Sequence, residues 1–497
     1  MNLASPKEAK AAALRSGAEY LAAIKDDGRR VMFEGDVVRD VTTHPAFKGA
    51  ARSLARLFDV AAAPANAALM TYPSPKTGNP VWRCYQVPKT IEDLKARRLM
   101  SARWSEETFG LMGRTPDHVA GFLAGYASKP SVFAQLGGKQ FADNVVRYYE
   151  HARESHLYLS YAIVPPQIDR SKPAHQQSDP TLHAGVVKER DDGIVLRGAQ
   201  QLATGAAFSD AVFISCIHPL TPGDEAYAFA VAVPANAPGL KIYTRRPYAA
   251  NATGSFDYPL STRFDEIDAL LVLDDVFVPW ENVFCYRNLA LCRDQWWKTP
   301  SHSYGNHQAQ VRYGAKVKFL MGLTKRLVEI TGVDAMPPVQ IMLGEMAAFA
   351  TIVDGMIRAQ ETEATIDGEG TVWPSKAALY SVMSLQSEIN PRLNNTLREL
   401  AGGSIIMLPS SIKDFEGAET AADIARYIAS PGFSSKQRVA ILKLVWDFIG
   451  TEFAGRHEQY EKFYGGASFL VKQNMARAYD FGSATAMVDR ALSLPDE

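Results

Sequence analysis

The 497-residue chain has little cysteine: Cys84, Cys216, Cys285 and Cys292 are scattered and form no CxxC pair. A disulfide framework and a sulfur-only metal centre are therefore not expected. Neither sign of charge dominates, because 53 Lys and Arg face 54 Asp and Glu and leave a formal net charge of -1. That balance supplies no broad basic field for a nucleic acid. Uninterrupted apolar runs stay below the roughly 18 residues that a bilayer crossing needs. The opening MNLASPKEAKAAALRSGAEYL interleaves charges with alanines and has no apolar signal-peptide core. Short catalytic signatures are missing too: there is no GxGxxG between a strand and a helix, no P-loop motif, no HExxH and no GxSxG. Gly402-Gly403 and Gly368-Glu369-Gly370 lack the strand–helix setting. These absences exclude a self-contained Rossmann nicotinamide site and a P-loop. What remains is a cytoplasmic enzyme with a bound cofactor, expected to have no membrane or nucleic-acid partner, or a protein without catalysis.

With 47% hydrophobic and 22% charged residues the composition is that of a globular protein. At about 100–200 residues per domain, the length suggests two to four packed units. Residues 1–155 read as mainly helical. Thr90 followed by Glu92 and Asp93 starts a helix that runs to about Phe109-Gly110. Thr115-Pro116-Asp117 announces another, with an N-cap hydroxyl, proline at the first position and an acid facing the dipole. Val119, Phe122, Leu123 and Tyr126 would form its buried stripe.

Residues 156–287 change period. GIVLRGAQQLATG, DAVFISCI and YAFAVAVP are short strand-like runs between turn signals, and LLVLDDVFVPWENV adds two more pieces around Asp274-Asp275. A central β-barrel or sandwich is expected there. In residues 288–497 helical periodicity returns over 307–330, 339–364, 376–400 and 436–464, four lengths that suggest a bundle. The α–β–α order lacks strand–helix alternation and argues against a doubly wound fold.

Seven stretches carry a resemblance in one order along nearly the whole chain. They are DVTTHPAFKGAARS, FGLMGRTPDHVAGF, LYLSYAIVPPQIDR, DDGIVLRGAQQLATGAA, YPLSTRFDEIDALLVLDDVFVPWENVFCYR, GGSIIMLPSS and ILKLVWDFIGTEFAGRHEQYE. Together they resemble the oxygenase component of the 4-hydroxyphenylacetate 3-monooxygenase family, two-component aromatic monooxygenases, with features of the chlorophenol- and nitrophenol-oxidising branch. The resemblance implies an α+β, acyl-CoA dehydrogenase-like fold with a helical N-domain, a central β-domain and a C-terminal four-helix bundle, assembled as a homotetramer. It implies FAD, used as FADH2, with O2 as co-substrate and a flavin C4a-hydroperoxide as the oxidant of a phenol. A separate NAD(P)H:flavin reductase would supply the FADH2 by diffusion to an enzyme holding a small aromatic substrate. Oxygenative displacement of a para nitro or halide group is an alternative outcome. A second alternative is the same-fold 4-hydroxybutyryl-CoA dehydratase, but its iron–sulfur cluster needs three cysteines and a histidine, and the close cysteine pair is missing here.

Arg114 precedes the Thr115 cap and His118 follows one turn later, so both would cluster at the positive end of a helix. A developing phenolate would be stabilised there, and the dipole would keep His118 neutral and able to accept a proton. An exposed arginine and a solvated helix-start histidine are the plainer reading. By resemblance Arg114 matches the arginine that binds the substrate hydroxyl. His118 and Tyr161 occupy positions where phenylacetate-hydroxylating members carry Tyr and His, which implies another phenol or an aromatic heterocycle. His307 resembles the catalytic base of the chlorophenol and nitrophenol branch, so the base is His118 or His307. Gln167 and Arg170 in PPQIDR, Thr204 in LATGAA and Arg456 in GRHEQYE match flavin-holding positions. Arg456 also reads as a bundle arginine paired with Glu458 or Glu461. The loop 215–226, which carries His218, is expected over the substrate. No metal site is expected.

Overall fold

A computed structural model describes residues 14–494, so most of the opening stretch read for a signal core lies outside the described residues. The Ile91–Glu107 helix begins on a capping box in which Thr90 and Asp93 satisfy each other's backbone N–H groups. Pro116–Ser128 also forms as a helix, but Thr115 does not cap it with its hydroxyl. That hydroxyl donates instead to Asp117 Oδ1 at 2.6 Å. Every residue from Pro116 to Tyr126 is buried, not only the expected stripe. The helix is wrapped on all sides, so its polar residues must find partners inside the protein.

The β region forms two sheets. One has four strands in the order Val283–Tyr286, Phe229–Pro234, Ala211–Ser215 and Leu159–Ala162, the last two parallel with Tyr161 opposite Phe213. The other has six, and two of them come from the N-terminal stretch. Arg30–Phe33 pairs in parallel with Leu240–Thr244, and Asp36–Val38 folds back on it as the edge. Reading 1–155 as helical missed this loan, because three- and four-residue strands carry almost no periodic signal. The two pieces expected around Asp274-Asp275 are one strand, Ala269–Pro279, interrupted by a bulge between Leu273 and Val276 where Asp275 takes φ 56°.

Ser301–Thr331, Pro337–Thr362 and Lys376–Ala401 supply three long helices of the bundle. The expected fourth is broken into Ser435–Ile449 and Glu452–Phe463, with Thr451 capping the second piece. Two further helices, Ser468–Ala478 and Phe481–Leu492, follow it. The arrangement follows the expected order: helices, then β-layers, then a bundle.

Two glycines set the crossing that matters for the site. A Cβ on Gly125 would lie 2.4 Å from Ser301 Cα, and one on Gly305 would lie 2.5 Å from the Phe122 ring. Only hydrogen at these positions lets Pro116–Ser128 press against the start of Ser301–Thr331.

Candidate active site

That crossing brings together side chains about 190 residues apart. His118 Nδ1 and Gln308 Oε1 are 3.0 Å apart in the buried seam. Gln308 Nε2 donates to Asp117 Oδ1 at 3.0 Å and to Thr115 Oγ1 at 3.2 Å. A carboxylate oxygen accepts, so the amide oxygen must face His118, and His118 therefore donates from Nδ1. Its other nitrogen, Nε2, is buried and has no partner among the described residues. The Phe122 and Tyr161 rings stand 5.1 Å and 5.4 Å from the imidazole and leave Nε2 in aromatic surroundings. Burial, reinforced by the Arg114 guanidinium, holds His118 well below the ordinary histidine range. The imidazole is neutral at physiological pH, for a stronger reason than the helix dipole alone.

Arg114 is buried at 6% exposure and is aimed at the same place. Its guanidinium lies 5.2 Å from the centres of both the Tyr161 and Tyr460 rings, and Nη1 donates to the Tyr460 hydroxyl at 2.7 Å. Burial pushes the Tyr460 hydroxyl up to about 12, so it stays protonated. The Arg114 backbone is held as firmly: Gly113 N and Arg114 N both donate to Glu266 Oε2, at 2.8 and 2.7 Å. Arg114, His118 and Tyr161 thus form one cluster with a cation, a neutral proton acceptor and an aromatic wall. Such a set can bind a phenol, take its proton and hold the phenolate.

The other oxygen of Glu266 accepts from Arg456 Nη1 at 2.7 Å, and Arg456 also grips Asp268 with two bonds of 2.9 and 2.6 Å. Its partners are therefore carboxylates of the β region, not Glu458 or Glu461. Thr204 donates its hydroxyl to the same Asp268 at 2.7 Å. Burial alone would raise Asp268, but Arg456 and Arg245 hold it far below the carboxylate range. Ile267, between these two acids, is fully buried and sits at φ 49°. Such a conformation is costly for a β-branched residue and is kept where the surroundings enforce it. The network joins Thr204 and Arg456 to Arg114 through Glu266.

Gln167 and Arg170 are exposed on the segment that leaves the Leu159–Ala162 strand. Gln167 Nε2 makes only a 3.4 Å contact with Pro165 O, and Arg170 has no hydrogen bond or ion pair among the described residues. The segment is tied to the Thr204 loop where Gln201 N donates to Val164 O at 2.8 Å. His218 is exposed on the 215–226 connection, which Asp224 anchors to His175.

His307 goes elsewhere. On a helix it projects about 100° away from Gln308, and its Nε2 lies 3.4 Å from Glu361 Oε1. That carboxylate already accepts from Arg98 Nε at 2.6 Å. The structure does not bring His307 to the Arg114 cluster. Sequence reasoning gave no site role to Gln308, Glu266, Asp268 or Tyr460 and read Asp117 only as an acid facing the helix dipole. The available signal was the FDEID run, three acids beside an apolar strand, since buried acids need partners.

Fold and site together fit a flavin-dependent aromatic monooxygenase. Residues 16–285 match the model for the 4-hydroxyphenylacetate 3-hydroxylase N terminal domain and residues 292–493 match that for its C terminal domain. The chain belongs to the 4-hydroxyphenylacetate 3-hydroxylase family. It is 35% identical over 496 residues to the 4-hydroxyphenylacetate 3-monooxygenase oxygenase component of Pseudomonas aeruginosa, covering 97% of this chain and 93% of that one. It is also 35% identical to the oxygenase component of 4-nitrophenol 2-monooxygenase from a Rhodococcus species, covering 93% and 88%. A crystal structure of an oxygenase component of 4-hydroxyphenylacetate 3-monooxygenase complexed with FAD and 4-hydroxyphenylacetate superposes with a TM-score of 0.90 at 32% identity, covering 96% of this chain and 98% of that one.

Proposed function

We propose that this chain hydroxylates a small phenol, with Arg114 holding the substrate oxygen and His118 accepting its proton. The observation that carries the reading is His118 Nε2, a buried, unpartnered acceptor in the same cluster as Arg114. A neutral imidazole beside a fixed guanidinium favours ionisation of a phenol, and an ionised ring is electron-rich enough to attack an electrophilic oxygen. Tyr161 forms the wall against the ring. His307 Nε2, also buried without a hydrogen-bond partner, lies 3.4 Å from Glu361 Oε1 and shares no contact with Arg114 or Tyr161 among the described residues, so it is left out of the proton transfer.

The residues fit a flavin. Arg170 has free donors for a phosphate, and Gln167 stands exposed beside it. Thr204 and Arg456 meet at Asp268, next to the Arg114 cluster. Gln167, Arg170, Thr204 and Arg456 would hold the FAD, and the reduced flavin with O2 supplies the oxygen atom. The protein's part is to ionise the phenol and to keep water out with the Phe122 and Tyr161 rings. A separate NAD(P)H:flavin reductase delivering FADH2 by diffusion agrees with the naming of the relatives as oxygenase components.

The exchange of histidine and tyrosine at positions 118 and 161 favours a phenol other than 4-hydroxyphenylacetate, because a buried polar site built for one pose leaves groups unpaired in another. A homotetramer is part of the reading. It is supported by a bundle helix, Pro337–Thr362, with an 18-residue window of mean hydropathy 1.3 that is only 17% buried in the single chain, Ile341 being 73% exposed. The same reading divides the chain at 155 and 287 and assigns it to the cytoplasm. The test is a panel of phenols, nitrophenols, halophenols, indoles and aromatic acids, with a flavin reductase, NADH and FAD supplied. FADH2-dependent hydroxylation of a phenol is the expected result, and oxidation of no panel member contradicts it.

A further inference from the structure

The base in this site has a neighbour that decides whether it can act. Thr115 and Gln308 both donate to Asp117 Oδ1, at 2.6 and 3.0 Å, while Asp117 Oδ2 is buried without a partner. Burial raises the Asp117 carboxyl, while the hydrogen bonds from Thr115 and Gln308 favour its ionised form. As a carboxylate oxygen, Oδ1 accepts from both donors. Gln308 is 3% exposed, and its amide can satisfy both Asp117 and His118 in only one orientation. With nitrogen toward Oδ1, its oxygen faces His118 Nδ1 at 3.0 Å.

We infer that Asp117 and Gln308 form a positioning relay that fixes the His118 tautomer, Nδ1 protonated and Nε2 open, so that the substrate phenol is the proton donor Nε2 receives. The inference rests on the phenol reading above and extends it to two residues that touch neither substrate nor cofactor. In the step itself the phenol O–H bond breaks and its electron pair stays on the oxygen facing Arg114. The proton forms an N–H bond at His118 Nε2. The resulting imidazolium strengthens its Nδ1–H bond to Gln308 Oε1, an oxygen already turned to receive it. The groups that face His118 are Arg114 from the preceding loop, Tyr161 from the four-stranded sheet, Gln308 and Arg312 from the bundle, and Phe122 from its own helix. None of them is a carboxylate, and among the described residues the Gln308 amide is the one hydrogen-bond acceptor on the imidazole.

The experiment binds 4-nitrophenol to the full-length protein without flavin, so that no turnover occurs, and titrates the yellow phenolate band with pH. Wild-type protein is expected to hold the phenolate at a pH where the free compound is protonated. Gln308→Met removes the acceptor, and the bound phenol should be about tenfold harder to ionise. Gln308→Glu offers a carboxylate that needs no orienting, so ionisation should become easier. Asp117→Ala should behave like Gln308→Met, and adding Gln308→Glu to it should restore the phenolate. The double variant keeps the test readable if Gln308→Met does not fold. Shifts of the same sign in Gln308→Met and Gln308→Glu, or no rescue in the double variant, overturn the relay while the phenol site stands. Wild-type protein that fails to ionise 4-nitrophenol overturns the phenol site and the relay with it.

Discussion

Two buried polar clusters share one face of the Ser301–Thr331 helix, a turn apart, and they treat their hydrogen bonds differently. Gln308 serves the first; Arg312 and Lys316, four and eight residues on, serve the second. In the second cluster Glu461 accepts from Arg312 Nη1 and Nη2 at 2.5 and 2.8 Å, from Lys316 at 2.9 Å and from Gln386 at 2.5 Å. All acceptor positions of that carboxylate are filled, and the atoms left without a partner, Arg312 Nε and Gln386 Oε1, belong to its donors. In the first cluster the unfilled atoms belong to the acid and the base themselves, Asp117 Oδ2 and His118 Nε2. Tyr460 stands between the two, near both the Arg114 and Arg312 guanidinium groups. A cluster that holds structure saturates its ionised group, whereas one that meets a ligand keeps an acceptor open at a cost of about 1–3 kcal/mol.

The largest effect that separates the clusters is on stability. Glu461→Gln leaves Arg312 and Lys316 buried without a counter-charge and should cost about 3–5 kcal/mol in denaturant unfolding. Burial opposes ionisation of Glu461, yet Arg312 and Lys316 pull it from 4.5 down to about 2. The folded state therefore binds this proton less readily than the unfolded chain does. The contribution is complete above about pH 4.5 and is lost as the pH falls toward about 2. The acid unfolding curve of Glu461→Gln should lack that component.

Arg114→Ala is expected to do the reverse, lowering kcat/KM for phenol hydroxylation by roughly 100- to 1,000-fold and leaving the unfolding midpoint nearly unchanged. An equal loss of stability in both variants would erase the distinction between the clusters. A smaller effect concerns assembly: Ile341→Glu should reduce the oligomer seen by sedimentation without altering the secondary structure. The smallest is at His307. His307→Ala should cost about 1–2 kcal/mol of stability and leave the hydroxylation rate per folded molecule within about twofold, because Arg98 still pairs with Glu361. A collapse of turnover in that variant would return His307 to the chemistry.

The parts legible in the sequence are those that neighbouring residues decide. The Thr90 capping box, the Pro116 helix start and the β runs near 193–200, 211–215 and 229–234 all stand where local pattern puts them. The bundle was readable except for the break at Gly450-Thr451, where one capping threonine splits a continuous periodicity. The strand loan at Arg30–Phe33 was not readable, since its partner lies some 210 residues further on. The same holds for the site. Arg114, His118 and Tyr161 entered through a resemblance, but their partners Glu266, Gln308 and Tyr460 are fixed by contacts 150 to 350 residues away. His307 entered through the resemblance as well, and one residue of helical rotation sets its Nε2 beside Glu361 rather than beside Gln308's partners.

The central claim is that His118, and not His307, takes the phenol proton. It is tested most directly by comparing His118→Ala and His307→Ala in one assay, with reduced FAD supplied, counting hydroxylated product formed per FADH2 oxidised. The account predicts that His118→Ala still consumes FADH2 and O2 but yields little hydroxylated product at neutral pH, with partial recovery as rising pH ionises the phenol in solution. His307→Ala should couple as the wild type does. Full coupling in His118→Ala together with its loss in His307→Ala would contradict the account.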